Sequence, residues 1–270
     1  MDPNYLAIRA INWSTLKHMR VSPRHYLHAL THSSPDTTAR AMGRALHTLV
    51  LEPQKFDAAY VVFDGDRRGN VWKDFQAANE GRTILRASEY DTVRRQADAA
   101  RHLLPADGAV EQVIQWTDPA TGLACKGIAD HVGAFGLIDL KGAGRLDTFE
   151  RLAVRDGYAH QLAFYRRGLM SMPSHWRALW GTPDDIPCHL LAVESNAPHD
   201  VALLTLSPTL LAWADRELSA LLARVAVCQD SGIWPGRYPD GGTLELPVWM
   251  SGDIDTSGLE DDDEVSSVDL

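Results

Sequence analysis

Two aspartates and a lysine lie close together in the middle of the chain. Asp130 ends the run Gly-Ile-Ala-Asp at residues 127–130. Asp139 and Lys141 follow in the run Gly-Leu-Ile-Asp-Leu-Lys. Successive side chains of a strand point to opposite faces, so Asp139 and Lys141 share a face if this run is extended. If Asp130 ends the neighbouring strand of a hairpin, its carboxylate meets that of Asp139 across the pair.

This trio has the residue types needed for metal-assisted hydrolysis. Two carboxylates brought together repel, and their burial is costly unless a cation lies between them. Oxygen ligands suit Mg²⁺ or Mn²⁺ better than zinc, and such an ion activates water and stabilises the charge developing on a phosphate. Lys141 would position or deprotonate the attacking water and offset phosphate charge. The alternative is that the carboxylates are ordinary loop and strand-edge residues and that Lys141 only solvates an edge.

Two helical segments add further candidates. Gly43 and His47 form a G-x-x-x-H element, and Gln161 and Tyr165 form a Q-x-x-x-Y element about twenty residues after Lys141. Residues four apart lie on the same face of a helix. Taken singly, each side chain has a plain structural explanation, as a core histidine, a surface glutamine or a core aromatic residue.

Hydrophobic periodicity predicts the elements that must position these side chains. Helical spacing predicts two short helices within residues 12–30 and longer helices over 39–51, 88–104, 149–170 and 208–227. Short β-rich runs predict strands over 60–63, 109–116, 123–132, 135–140, 188–193 and 201–206, the last two paired. This order indicates an α/β or α+β fold with a mixed central β-sheet flanked by helices.

The four elements, in this order, resemble the RecB-like and especially the phage-type RecE-like (exonuclease VIII) branch of the PD-(D/E)xK nuclease superfamily. The resemblance covers roughly residues 13–206 and implies the restriction-endonuclease-like fold. It implies a metal site whose members are His47, Asp130, Asp139, the Leu140 carbonyl and, as a further ligand or neighbouring acid, Glu111. It implies catalytic roles for Asp130, Asp139, Lys141, Gln161 and Tyr165. The chain departs from the pattern after Lys141, where residues 142–144 are Gly-Ala-Gly and relatives more often carry Thr or Ser.

The resemblance also implies a function. It implies a Mg²⁺-dependent exonuclease, with Mn²⁺ as a substitute, that degrades double-stranded DNA from its ends in the 5′ to 3′ direction during phage-type recombination. It further implies a homo-oligomer and a single-strand annealing protein as partner. Two alternatives stay open, a PD-(D/E)xK endonuclease and a non-catalytic DNA- or protein-binding module on the same fold.

Composition sets the remaining expectations. The net charge is −10, but eight of the 36 acids lie in residues 253–270, which leaves 28 acids against 26 basic residues. We therefore expect one nuclease domain over 1–252 and a disordered acidic tail over 253–270. No long apolar run or secretory signal is visible, which predicts a cytoplasmic protein without a membrane span. The three dispersed cysteines predict buried thiols, not disulfides or a thiolate metal site.

Overall fold

The computed structural model describes residues 3–32, 35–172 and 179–245. Contacts divide the chain into residues 1–237 and residues 238–270. The fold described below is that of the first unit. The predicted tail over 253–270 lies outside the described residues, so the tail and the 1–252 domain boundary stay predictions.

Five of the described α-helices precede the first strand, and β3, β4 and β5 follow one another without an intervening helix. The α-helices are α1 (Pro3–Ala7), α2 (Trp13–Leu16), α3 (Pro23–Thr31), α4 (Thr38–Leu51), α5 (Phe56–Ala59), α6 (Gly69–Ala78), α7 (Ala87–Arg101), α8 (Phe149–Asp156), α9 (Tyr158–Ser171) and α10 (Pro208–Ser231). The strands are β1 (Tyr60–Phe63), β2 (Thr83–Arg86), β3 (Ala109–Thr117), β4 (Ala124–Gly133), β5 (Gly136–Ala143), β6 (Cys188–Glu194) and β7 (Val201–Thr205).

The central sheet has five strands in the order β3-β4-β5-β6-β7. Three of its pairings are antiparallel, and β5 pairs with β6 in parallel through the connection that carries α8 and α9. The strands β1 and β2 form a separate parallel pair. The sheet is therefore mixed and flanked by helices, as the sequence predicts.

Both faces of this sheet are covered. On one face, α9 lies against the sheet and a core forms around side chains such as Ile114, Leu137 and Phe164. On the other face, Ile138 and Leu140 pack with side chains of α4 and α7. Because Leu137 and Ile138 alternate between these cores, β5 is buried on both sides, and any polar side chain on it is taken out of water.

The structure corrects the predicted helix over 149–170, which is two helices. Gly157 lies between α8 and α9 with a φ of 78°, in the left-handed region that favours glycine and ends helices. Four of the described helices and strands have no counterpart among the predictions, namely α1, α5, α6 and β2. They are only four to ten residues long, and their pattern in the sequence is correspondingly weak.

Two expectations from composition can be compared with the structure. All three cysteines, Cys125, Cys188 and Cys228, are buried free thiols, as predicted. No helix within the described ranges combines the length and the apolar character that crossing a membrane would require.

Gly168 is where α9 approaches β3 most closely. A Cβ atom there would lie 2.6 Å from the Trp116 ring and would also overlap Ile114, whereas a Cβ atom at Gly43 of α4 meets nothing within 4 Å. We expect Gly168→Ala to lower the free energy of unfolding by about 1–3 kcal/mol because of this overlap. Gly43→Ala should be neutral or stabilising by up to about 1 kcal/mol, from helix propensity alone. Urea unfolding of both variants measures the contrast, and equal effects would contradict it.

Candidate active site

The site lies where β4 and β5 separate. These strands pair only from His131 to Gly133 on β4 and from Gly136 to Ile138 on β5. The next pair in this register would be Asp130 opposite Asp139, as the sequence predicts for a hairpin. The strands diverge there instead, and Asp130 Oδ2 accepts a hydrogen bond of 2.7 Å from the Leu140 backbone N–H. The carboxylate of Asp130 thus takes the place of a backbone partner at the point of divergence.

Asp130 is one of three side chains that can hold a cation together. His47, Glu111 and Asp130 each offer one donor atom, and these atoms lie within 4.8 Å of one another. His47 comes from α4, and its Nδ1 is 3.5 Å from Asp130 Oδ2. Glu111 would face Asp130 in the register of β3 and β4, but its φ of 48° interrupts the regular strand at this residue. Three elements therefore converge on one potential metal site.

Asp139 belongs to a second set of contacts on the α9 side of the sheet. Its Oδ2 lies 2.5 Å from Lys141 Nζ, and its Oδ1 accepts a hydrogen bond of 2.8 Å from Gln161 Nε2. Lys141 Nζ also donates to Gln161 Oε1 at 3.2 Å. Gln161 Nε2 lies 3.0 Å from the Tyr165 hydroxyl. Asp139 and Lys141 therefore share a face, as their spacing predicts, and Gln161 connects them with Tyr165.

The predicted convergence of Asp130 and Asp139 is realised in part. Asp139 is not a member of the group formed by His47, Glu111 and Asp130, because its side chain faces Lys141 and Gln161. It is close enough for the charge of Asp130 to raise its pKa. Asp139 is 1% exposed, and its Oδ2 forms an ion pair with Lys141. A buried carboxylate oxygen in this state retains capacity for a cation.

Burial and crowding shift the ionisation of the site. Burial raises the pKa of Asp139 to about 6, and repulsion by Asp130 contributes, although Lys141 opposes the shift. Burial also raises the pKa of Glu111, again with repulsion from Asp130. Burial acts to lower the pKa of Lys141, but the carboxylates of Asp139 and Asp130 outweigh it, so the pKa is raised. The site thus concentrates negative charge around one ammonium group.

Two residues that the sequence argument did not assign support this network. Gly127 on β4 leaves room for the Tyr165 ring, since a Cβ atom at this position would lie 2.5 Å from that ring. The Tyr158 ring lies 4.9 Å from Lys141 Nζ in a cation–π contact. Tyr158 precedes Gln161 by three residues on the same helix, and this spacing is the signal that could have identified it.

Comparison with known proteins identifies the family. A family model described as "PDDEXK-like domain of unknown function (DUF3799)" matches residues 12–243. The chain belongs to this PDDEXK-like family. Membership confirms the PD-(D/E)xK superfamily inferred from the G-x-x-x-H, D, D-x-K and Q-x-x-x-Y elements. Among curated proteins, none matches the sequence significantly.

A solved structure supports the same fold. The chain is similar to a protein from Eubacterium rectale described as a "Putative exonuclease", with a TM-score of 0.58 and 13% sequence identity. The alignment covers 87% of this chain and 89% of that protein. At this identity the likeness establishes the fold alone. The PDDEXK-like domain therefore has the restriction-endonuclease-like fold that the sequence predicts.

The raised pKa of Asp139 predicts a pH-dependent stability of the metal-free protein. Because the folded protein binds this proton more tightly than the unfolded chain, the contribution of Asp139 to stability falls as pH rises from about 4 to about 6. The shift of the pKa from 3.8 to about 6 corresponds to up to about 3 kcal/mol of unfolding free energy. Wild type should lose this amount relative to Asp139→Asn as the pH rises. Urea unfolding in EDTA across this range measures it.

The exposed Asp74 on α6 supplies the matched control. The stability of Asp74→Asn, which lacks a carboxylate at the protein surface, is measured over the same pH range. If the difference between wild type and Asp139→Asn varies with pH no more than the difference between wild type and Asp74→Asn, the predicted contribution of Asp139 is refuted.

Proposed function

We propose that this protein is a divalent-metal-dependent nuclease that hydrolyses phosphodiester bonds of double-stranded DNA. The observation that carries the proposal is the position of the Asp139, Lys141 and Gln161 network next to the donor group of His47, Glu111 and Asp130. A nuclease needs a place for a hard cation and, beside it, a fixed positive charge for the phosphate. The two adjoining sets of side chains supply these two parts.

The donor set fits a hard divalent cation. Asp130, Glu111 and His47 would hold it, the buried carboxylate of Asp139 would complete the site, and the Leu140 carbonyl would assist. Carboxylate-rich sites favour Mg²⁺, and one imidazole is compatible with Mn²⁺ as a substitute. A bound divalent cation lowers the pKa of water and neutralises charge on the reacting phosphate.

Lys141 acts in this proposal as a fixed ammonium group. In the metal-free protein the carboxylates of Asp139 and Asp130 raise its pKa, and its ammonium group would stabilise negative charge on the phosphate and orient water. Gln161 fixes the positions of the Lys141 and Asp139 side chains through one amide hydrogen bond to each. The Tyr165 hydroxyl, in contact with Gln161, fixes the orientation of that amide.

We further propose an exonuclease that degrades duplex DNA from its ends, 5′ to 3′, in phage-type recombination. This part rests on the RecE-like resemblance of the sequence motifs, and the description of the Eubacterium rectale protein agrees with it. The same resemblance supports a homo-oligomer that works with a single-strand annealing protein. We place this activity in the cytoplasm of a bacterial or phage-infected cell.

The substrate test compares linear duplexes with covalently closed circular duplexes, in Mg²⁺, Mn²⁺ or EDTA. An exonuclease degrades the linear DNA only, and EDTA stops it. Cleavage of closed circles would instead identify an endonuclease. Binding of DNA without cleavage in either metal would identify a non-catalytic module. Linear duplexes labelled at one 5′ or one 3′ end then give the polarity, since a 5′ to 3′ enzyme releases the 5′ label first.

Asp139→Ala and Lys141→Ala should each lower the cleavage rate at saturating DNA by at least about 100-fold, because each removes a charge fixed at the reacting centre. The adjacent exposed residues Asp74 and Lys73 on α6 give charge-matched controls, Asp74→Ala and Lys73→Ala. Initial rates and thermal unfolding are measured together. Variants that fold normally and retain cleavage would refute the proposed site.

A further inference from the structure

A cavity of about 470 Å³ lies beside the proposed active site. Its wall is the 3₁₀ helix Lys17–Arg20 that follows α2, and its floor is the turn between α8 and α9. The lining side chains are Lys17, His18, Arg20, Val21, Arg155, Asp156 and Tyr158. Of these side chains, Tyr158 also contacts Lys141 of the proposed active site.

The cavity is held in shape by buried contacts. Gly157, at the α8–α9 turn, lies so close to the Trp13 ring that a Cβ atom would come within 2.5 Å of it. Trp13 stacks on His160 of α9 with ring centroids 5.2 Å apart. Arg20 Nη1 donates a hydrogen bond of 2.9 Å to the Arg155 carbonyl. The 3₁₀ helix is thus fixed on the turn, and the cavity is a feature of the packed fold.

The lining is positively charged in a chain whose net charge is −10. It holds the cations Lys17, Arg20 and Arg155 against a single anion, Asp156. Asp156 is already paired with Arg155 at 2.7 Å. Within the described parts of the chain, Lys17 makes no ion pair. Burial lowers its pKa, and the charges of Lys141 and Arg40 lower it further, against the attraction of Asp156.

Tyr158 connects the cavity with the proposed active site. One side of this residue lines the cavity, and its ring contacts the ammonium group of Lys141 at 4.9 Å. Only the side chain of Tyr158 therefore needs to lie between Lys141 and the cavity. A phosphate held in the cavity would be a neighbour of the phosphate that reacts beside Lys141.

We propose that the cavity lined by Lys17, His18 and Arg155 binds a phosphate group of the substrate DNA strand, next to the phosphate that is cleaved. Lys17 supplies the charge that no described carboxylate neutralises by an ion pair, and it is the determinant of this subsite. The proposal rests on the proposed nuclease function, because it extends the same site along the DNA. The phosphate is an internal diester or a terminal monoester, which share the chemistry that Lys17 recognises.

The test measures the affinity of the full chain for a duplex oligonucleotide in EDTA, over about 50 to 200 mM salt. Lys17→Ala should weaken DNA binding at least about fivefold, because it removes one phosphate contact. It should also reduce the slope of log affinity against log salt by about one. Lys17→Arg should restore most of the affinity. Lys73→Ala, which removes the same charge from an exposed position on α6, is the matched control and should leave the slope unchanged.

Duplexes with a 5′-phosphate, with a 5′-hydroxyl, or closed by hairpins at both ends distinguish the two kinds of phosphate. If Lys17→Ala lowers affinity only for the 5′-phosphate duplex, the ligand is the terminal monoester. If it lowers affinity for all three, the ligand is an internal diester. Equal effects of Lys17→Ala and Lys73→Ala on affinity and slope would overturn the subsite.

This experiment separates the subsite from the hydrolytic function because binding in EDTA requires no cleavage. A chain that binds through Lys17 but cleaves nothing in Mg²⁺ or Mn²⁺ would retain the subsite and lose the proposed activity. A chain that cleaves normally but shows no specific effect of Lys17 would retain the activity and lose the subsite. A wild-type chain that binds no DNA in EDTA and cleaves none in Mg²⁺ or Mn²⁺ would overturn both.

Discussion

The burial of the Asp139 carboxylate at the centre of the sheet is the constraint on which the rest of the structure depends. An isolated charge there would be very costly, and the neighbouring Asp130 adds repulsion. Lys141 and Gln161 reduce this cost through an ion pair and a hydrogen bond. The compensation is incomplete, since the pKa of Asp139 remains raised to about 6. Residual negative potential of this kind is what a site for a hard cation requires.

The divergence of β4 from β5 makes room for that charge. Regular pairing would fill the space between the strands with backbone hydrogen bonds, whereas the break lets Asp130 bond to the Leu140 N–H and face His47. Side chains from opposite faces of the sheet then reach the same place. Helix α4 brings His47 from one side, and α9 brings Gln161 from the other. The two cores hold these helices firmly, so the polar groups between them are positioned by packing and not by their own weak bonds.

The charge distribution is compatible with the proposed action of this acidic chain on DNA. Overall charge governs long-range attraction, but binding depends on where cations are placed. Here the acids of the site would be neutralised by a metal, while Lys17, Arg20 and Arg155 line the adjoining cavity. A basic excess over the whole chain is therefore unnecessary for the proposed binding of DNA at this cavity.

The sequence by itself determined the superfamily, through the resemblance of its four motifs. It also determined the mixed sheet and the shared face of Asp139 and Lys141, because strand alternation and helical spacing are local properties. It also placed Gln161 and Tyr165 on one face of α9. The split of the predicted helix at Gly157, the bend at Glu111 and the turning of Asp139 away from Asp130 were decided by the tertiary structure alone. So was the cavity at Lys17, 124 residues before Lys141 in sequence. Such features depend on contacts and charge interactions between segments that are distant in sequence. The periodicity of residues along the chain contains no information about those contacts.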